Sequence, residues 1–278
     1  MSDVAAAIAD GVLPGRLWLY ANYHCNLACT YCLTESAPSV SRRELPAERM
    51  VSLALEARTL GFTDLGITGG EPFMVPTMWR TVVELAGILP LLVLSNATLF
   101  DDARAERLRP LSRLPAAIQV SLDHHDAAGN DEARGPGNWA KVVDGIRRLV
   151  ERGIRVRVAS TLDPEVEVRE SDRSALCELH RSLGIDDDDH VVRPVVRRGR
   201  ARAAGIGVDA LPGDLPPELT ITADGAFWSP FGPTIRNGEL DTDLLVTRTT
   251  TPLERPAAAL ARLLAGGPPT SDAQLGIR

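Results

Sequence analysis

Between residues 16 and 196, short apolar runs alternate with longer stretches in which apolar residues recur at three and four; no other feature constrains the fold as much. A short strand reaches a parallel neighbour only through a crossover of about a dozen residues or more, and the amphipathic stretches supply those crossovers as helices. The runs fall at 16–23, 64–68, 91–95, 116–122, 154–161 and 190–196, with helices at 46–60, 77–88, 101–108, 138–152 and 171–183. Gly61, Gly153 and Gly184 stand where three of those helices should stop. The fold class expected is α/β, a partial (β/α)6 TIM-like barrel, open. Such barrels carry their chemistry on the loops that leave the C-terminal ends of the strands.

After residue 196 the character changes. Arg197, Arg198, Arg200 and Arg202 make a basic stretch, 205–217 reads as loop, 219–229 alternates around Ala-Asp-Gly like a β-hairpin, and 252–264 reads as a helix. The organisation expected is an N-terminal extension over 1–15, the barrel core over 16–200, and a C-terminal cap over 201–278 that does not fold independently. Thirty basic against thirty-seven acidic residues leave a net charge of −7, without the basic footprint that nucleic-acid binding requires. Asp3 and Asp10 stand where a leader would be basic, and no apolar run reaches the ~18 residues of a membrane span. A cytoplasmic location, with neither nucleic acid nor membrane as partner, is the expectation.

Three of the four cysteines, Cys25, Cys29 and Cys32, fall within eight residues, directly after the first strand, while Cys177 stands alone in a helix beside Leu176 and Leu179. An odd cluster in a reducing compartment disfavours disulfides. Structural zinc wants four ligands, which three thiolates plus His24 or Cys177 supply. A 4Fe-4S cluster on three thiolates instead leaves one iron open to a small molecule. Further polar residues sit at strand ends. Thr68-Gly69-Gly70-Glu71-Pro72 follows the second strand, its glycines permitting close backbone approach and its carboxylate able to accept from an ammonium, although the same residues also read as a plain turn. Adjacent His124 and His125 are candidates for proton transfer.

The segment Cys25-Asn-Leu-Ala-Cys29-Thr-Tyr-Cys32 resembles the CxxxCxxC signature of the radical S-adenosylmethionine (radical SAM) superfamily, and 68–72 resembles that superfamily's GGEP motif. The resemblance implies that Cys25, Cys29 and Cys32 hold one 4Fe-4S cluster and that Tyr31 lies against the adenine of S-adenosylmethionine. It further implies that Thr68, Gly69, Gly70, Glu71 and Pro72 form the site for the methionine end. Ser95 and Asn96 resemble the turn after the family's third strand, with Ala97 in place of the usual glycine. Ser121 and Asp123 resemble the Ser-Leu-Asp after the fourth strand, with the serine on the ribose side, and Asp126 and Arg134 fit the loop that follows. Ser160 and Thr161 end the fifth strand, and the segment 193–201 resembles a basic Gly-Arg-Ala stretch after the sixth. There Arg193 is expected to reach the cofactor, and Arg197, Arg198 and Arg200 to bind an anionic substrate.

What the resemblance implies is an enzyme that reductively cleaves S-adenosylmethionine to a 5′-deoxyadenosyl radical, with electrons from a donor such as flavodoxin or ferredoxin. The 219–232 stretch resembles the hairpin of the SPASM/twitch-like extension, with Trp228 and Ser229 where a cysteine is usual, so one cluster per chain is expected. The hairpin is then read as a cap over the barrel mouth, with Phe227 and Trp228 packing. Cys177 becomes a candidate hydrogen-atom donor, as in some epimerases. A small polar or anionic metabolite is the substrate expected; a peptide is the alternative, and a non-catalytic zinc or iron–sulfur sensor is a second one.

Overall fold

The computed structural model describes residues 3–163, 170–236 and 238–266. In chain order the first half contains α1 (Asp3–Ala9), β1 (Arg16–Tyr20), α2 (Ala47–Leu60), β2 (Asp64–Thr68), α3 (Met78–Ala86), β3 (Leu91–Ser95), α4 (Asp102–Arg107) and β4 (Ala116–Ser121). There follow α5 (Ala127–Arg134), α6 (Asn138–Glu151), β5 (Val156–Leu162), α7 (Glu170–Ser182), β6 (His190–Pro194) and α8 (Gly199–Ala204). The remainder comprises β7 (Thr220–Thr222), β8 (Gly225–Phe227), β9 (Ile235–Arg236), β10 (Glu239–Leu240), β11 (Leu245–Thr247) and α9 (Glu254–Ala265).

β1 to β6 pair in parallel with each neighbour in sequence order, which is the partial barrel expected. Period-two alternation divides each strand between two layers. Leu17 and Leu19 of β1 join the main core under the helices, with Leu53 of α2, Leu85 of α3 and Ile146 of α6, whereas Trp18 turns to the other face and packs on Leu92 and Ala117. Space for that indole is made by Gly66 of β2, where a Cβ would stand 2.2 Å from the ring. The indole Nε1 donates to Glu218 at 2.6 Å.

The 219–229 hairpin forms, and it also extends the sheet. β7 runs parallel to β1, with Trp18 opposite Thr220, β8 returns antiparallel to β7, and β11 lies against β8. Among the described residues the strands therefore make one nine-stranded sheet, β11-β8-β7-β1-β2-β3-β4-β5-β6, besides the β9–β10 pair. The physical reason is the free edge of β1, whose Trp18 N–H donates to Leu219 O at 2.9 Å. Phe227 is fully buried between the sheet and Val196, Leu215 and Phe231. Beyond residue 266 the C-terminal tail lies outside the described residues. No helix among them is long and apolar enough to cross a membrane.

Candidate active site

A cavity of about 190 Å³ opens at the C-terminal ends of the parallel strands, and Cys25, Cys29 and Cys32 all line it. The cysteine loop leaves β1 because Asn22 and His24 are caught by the end of β2. Gly70 N donates to Asn22 O and Glu71 N to His24 O, both at 2.9 Å. A Cβ on Gly69, whose φ is 138°, would lie 2.5 Å from Asn22 O, and one on Gly70 2.1 Å from His24 O. The glycine pair thus lets two strand ends touch, and its exposed side still forms cavity wall.

Burial pushes the Cys25 thiol up to about 12, helped by the charge of Glu71, and also raises Cys29. Such buried sulfurs ionise when a metal centre supplies positive charge. Tetrahedral zinc, with Zn–S near 2.3 Å, draws its sulfurs to within about 4 Å of one another. Among the described residues the group gathered to single-ion spacing, its ligand atoms within 4.8 Å, is His124, His125 and Asp126, and the three thiols are not so gathered. His24 is turned away, its Nδ1 lying 3.0 Å from Val40 O, and neither His24 nor Cys177 lines the cavity. The cavity thus offers three thiols as metal donors, and among the described residues no histidine, carboxylate or fourth cysteine lines it beside them.

The remaining predicted residues divide into wall and support. Tyr31, Thr68, Gly69, Gly70, Ser95 and Asn96 are on the wall. So are Ser121, Thr161 and Arg193. Glu71, Pro72, Asp123 and Ser160 are behind it. Glu71 is fully buried; its Oε1 accepts from Ser95 Oγ at 2.9 Å and Phe73 N at 3.1 Å, and its Oε2 from Asn96 N at 2.7 Å. Burial raises its pKa to about 7 against the pull of those donors. Its geometry is that of a tie between the ends of β2 and β3, whereas the sequence suggested an acceptor facing the ligand. Pro72 begins the buried turn Pro72–Met74.

Asp123 is likewise a hub. It accepts from Arg134 Nε at 2.6 Å, Tyr31 Oη at 2.5 Å and Thr161 N at 2.8 Å. The Arg134 guanidinium stands 5.4 Å from the Tyr31 ring centre, so the ring edge and one face are fixed from behind. Ser160 points to the outer layer, donating to Leu122 O at 2.7 Å and meeting His190 Nε2 at 3.0 Å. His124 and His125 stack on each other at 4.3 Å over Asp126 and take no part in the cavity wall. Cys177, half-buried on α7, takes none either.

The basic stretch corrects the expected anion site. Arg197 pairs with Asp209, Arg198 pairs with Asp243, and Arg200 donates to the carbonyls of Cys29 and Ser36. Arg193 is the wall cation with the least compensation. Its Nε lies 3.4 Å from Thr161 Oγ1, and burial pushes its pKa below the usual arginine value against the pull of Tyr31 and the Asp123 carboxylate.

Sequence reasoning passed over Asn26, whose side chain bridges Thr98 Oγ1 at 2.8 Å and Asn96 Nδ2 at 3.0 Å, although its place within the cysteine motif was a signal. Pro230 and Phe231, which close one side of the cavity, carried no such signal. Ala97 takes a φ of 56°, a left-handed conformation that a glycine adopts without steric cost.

A family model described as the Radical SAM superfamily matches residues 20–170. Probable GTP 3',8-cyclase of Archaeoglobus fulgidus is 36% identical over 132 residues, covering 47% of this chain and 43% of that protein. Sporulation killing factor maturation protein SkfB of Bacillus subtilis is 28% identical over 156 residues, covering 55% of this chain and 37% of that protein. Both matches thus span less than half of the relative's length. Among solved structures, anSMEcpe with bound AdoMet and Kp18Cys peptide superposes with a TM-score of 0.61 at 11% identity, over 87% of this chain and 79% of that one.

Proposed function

The chain belongs to the radical SAM superfamily, and we propose that Cys25, Cys29 and Cys32 hold one 4Fe-4S cluster beside S-adenosylmethionine and that the substrate is a small molecule bearing an anionic group. When bound, the pair supplies a 5′-deoxyadenosyl radical that abstracts a hydrogen atom. The chain's own contribution is placement and exclusion of water. Tyr31, fixed by Asp123 and Arg134, offers a rigid face to the adenine. Gly69, Gly70, Ser95 and Asn96 form the wall for the methionine end, and Ser121 the wall on the ribose side. Leu27, Leu33, Val196 and Phe231 keep the cavity apolar elsewhere.

The observation that carries the substrate class is Arg193. Of the three arginines that line the cavity, Arg134 meets Asp123 and Arg200 is engaged by the carbonyls of Cys29 and Ser36. Arg193, which among the described residues has no ion pair and only shares the Asp123 field with Arg134, is therefore the cation most open to a ligand, and such a cation favours an anionic one. Flavodoxin or ferredoxin in the cytoplasm is the electron donor on this reading. A peptide is the second reading, favoured by SkfB being a maturation protein and by the Kp18Cys peptide in the anSMEcpe structure. An acidic side chain of that peptide would then occupy Arg193. The zinc-sensor alternative loses support because, among the described residues, no fourth cysteine, histidine or carboxylate lines the cavity beside the three thiols.

The test is anaerobic iron–sulfur reconstitution, dithionite reduction with S-adenosylmethionine, and mass-spectrometric assay of 5′-deoxyadenosine against small carboxylates, small phosphates and acidic peptides. Small anions should stimulate its formation in the wild type and fail to do so in Arg193→Met. Stimulation by peptides alone moves the substrate to the second reading, and a loaded cluster that never yields 5′-deoxyadenosine defeats the enzymatic one.

A further inference from the structure

The cysteine loop is fastened largely from outside itself. Arg200 Nε donates to Cys29 O at 2.7 Å, its Nη2 to Ser36 O at 2.6 Å, and its backbone N–H to Cys32 O at 3.1 Å. Thr234 Oγ1 donates to Leu33 O at 2.8 Å, and Ile235 N to Thr34 O at 3.1 Å. Gly199, with φ of 54°, lets α8 come this close, since a Cβ there would stand 2.4 Å from Leu33 O and 2.5 Å from Cys32 O. Bonds within the loop are fewer and longer, such as Cys32 N to Cys29 O and Glu35 N to Cys32 O at 3.2 Å.

Arg200 also differs from Arg198 in how its charge is met. Arg198 meets Asp243, yet Arg200, among the described residues, forms no ion pair and bonds only to neutral carbonyls. Its positive charge stays available to the loop, with Nε 2.7 Å from Cys29 O and Nη2 2.6 Å from Ser36 O. Positive charge and hydrogen bonding around an iron–sulfur site favour its more negative, reduced form and so raise its reduction potential.

We propose that Arg200 is a positioning residue for the metal centre: its planar fork clamps the cysteine loop to the segment after β6, and its charge sets the reduction potential. The inference rests on the reading that the three thiols hold a cluster. It predicts two separable effects, because a lysine keeps the charge and loses the two-carbonyl fork.

The experiment compares reconstituted wild type, Arg200→Gln and Arg200→Lys in two readouts, the rate of iron loss to a chelator and the midpoint potential in a dye-mediated redox titration. Arg200→Gln should lose iron several-fold faster and shift to a lower potential, whereas Arg200→Lys should also lose iron faster at a potential close to wild type. Unchanged iron loss in both variants overturns the clamp, and an unchanged potential in Arg200→Gln overturns the electrostatic role. If wild type itself takes up no cluster, the cysteine reading fails separately. Deuterium uptake over residues 29–36 of the metal-free chains then decides the clamp, faster uptake in Arg200→Gln supporting it and equal uptake overturning it.

Discussion

The two ends of the barrel handle charge in opposite ways. At the base, beneath Trp18, cations meet carboxylates: Arg16 bonds Asp64, Arg155 forks onto Asp189 at 2.7 and 3.1 Å, and Arg157 lies 3.5 Å from that same carboxylate. At the mouth Arg134 meets Asp123, while Arg193 and Arg200, among the described residues, form no ion pair. A matched set of charges holds strands together and asks for nothing more. An unmatched set around three thiols is what the proposed ligands, bringing negative charge, would complete, and meanwhile the surrounding fold has to hold it in place.

The largest effect expected is at the mouth. Cys29→Ala should abolish cluster assembly, read as loss of the brown chromophore and of bound iron, while the circular dichroism spectrum stays that of the folded chain. Retention of a full cluster would mean that the mouth's ligands are misassigned. Asp123→Asn comes next, because it removes a carboxylate at the mouth that is both buried and paired. With the Arg134 side chain 5% exposed and left without its partner, the loss should be about 3–5 kcal/mol in urea unfolding. A loss below about 1 kcal/mol would show that the mouth does not depend on that pair.

The base has a weakness of its own in acid. His180 of α7 is 2% exposed, has neither ring nitrogen hydrogen-bonded, and packs edge-on against His190 at the start of β6. Burial, with the neighbouring His190, lowers its pKa to about 4. The unfolded chain, titrating near 6.5, therefore binds this proton first as pH falls. Its contribution to stability is intact above about pH 6.5, declines down to about pH 4 and is then exhausted, a total of about 3 kcal/mol. Thermal melts across that range should show the slope, and His180→Phe should flatten it.

Much of this contrast was legible in the sequence where period and punctuation coincide. The strands Asp64–Thr68 and Leu91–Ser95 have the bounds that their apolar runs give, and Gly61 caps α2 at φ 92°. Helix α5 was missed because its buried residues are Asn130 and Arg134, so it has no apolar stripe, and only Asp126, accepting from Gly129 N at 2.9 Å, marked its start. At the site, the sequence located strand ends but not which side of each the residue faces. Thr161 and Ser160 are neighbours, and one faces the cavity while the other faces the outer layer. The roles of the arginines were illegible for a related reason, since the partners that neutralise Arg197 and Arg198 lie 12 and 45 residues away.

The smallest effects test whether the two ends also differ in packing. Gly66 at the base is closed by the Trp18 ring, so Gly66→Ala drives a methyl group into a rigid indole and should cost about 1–3 kcal/mol. Ala97 at the mouth is the reverse case, a residue with a Cβ held at φ 56°. Left-handed backbone costs a residue with a Cβ about 1–2 kcal/mol, and glycine recovers that while losing about 0.4–1 kcal/mol through greater freedom in the unfolded chain. Ala97→Gly should therefore stabilise the chain by somewhat under about 1 kcal/mol, a rise of a few degrees or less in Tm. A fall in Tm would mean that the Ala97 methyl, packed within the main core beside Gly145, contributes more by burial than its backbone conformation costs, and that the mouth is packed as firmly as the base.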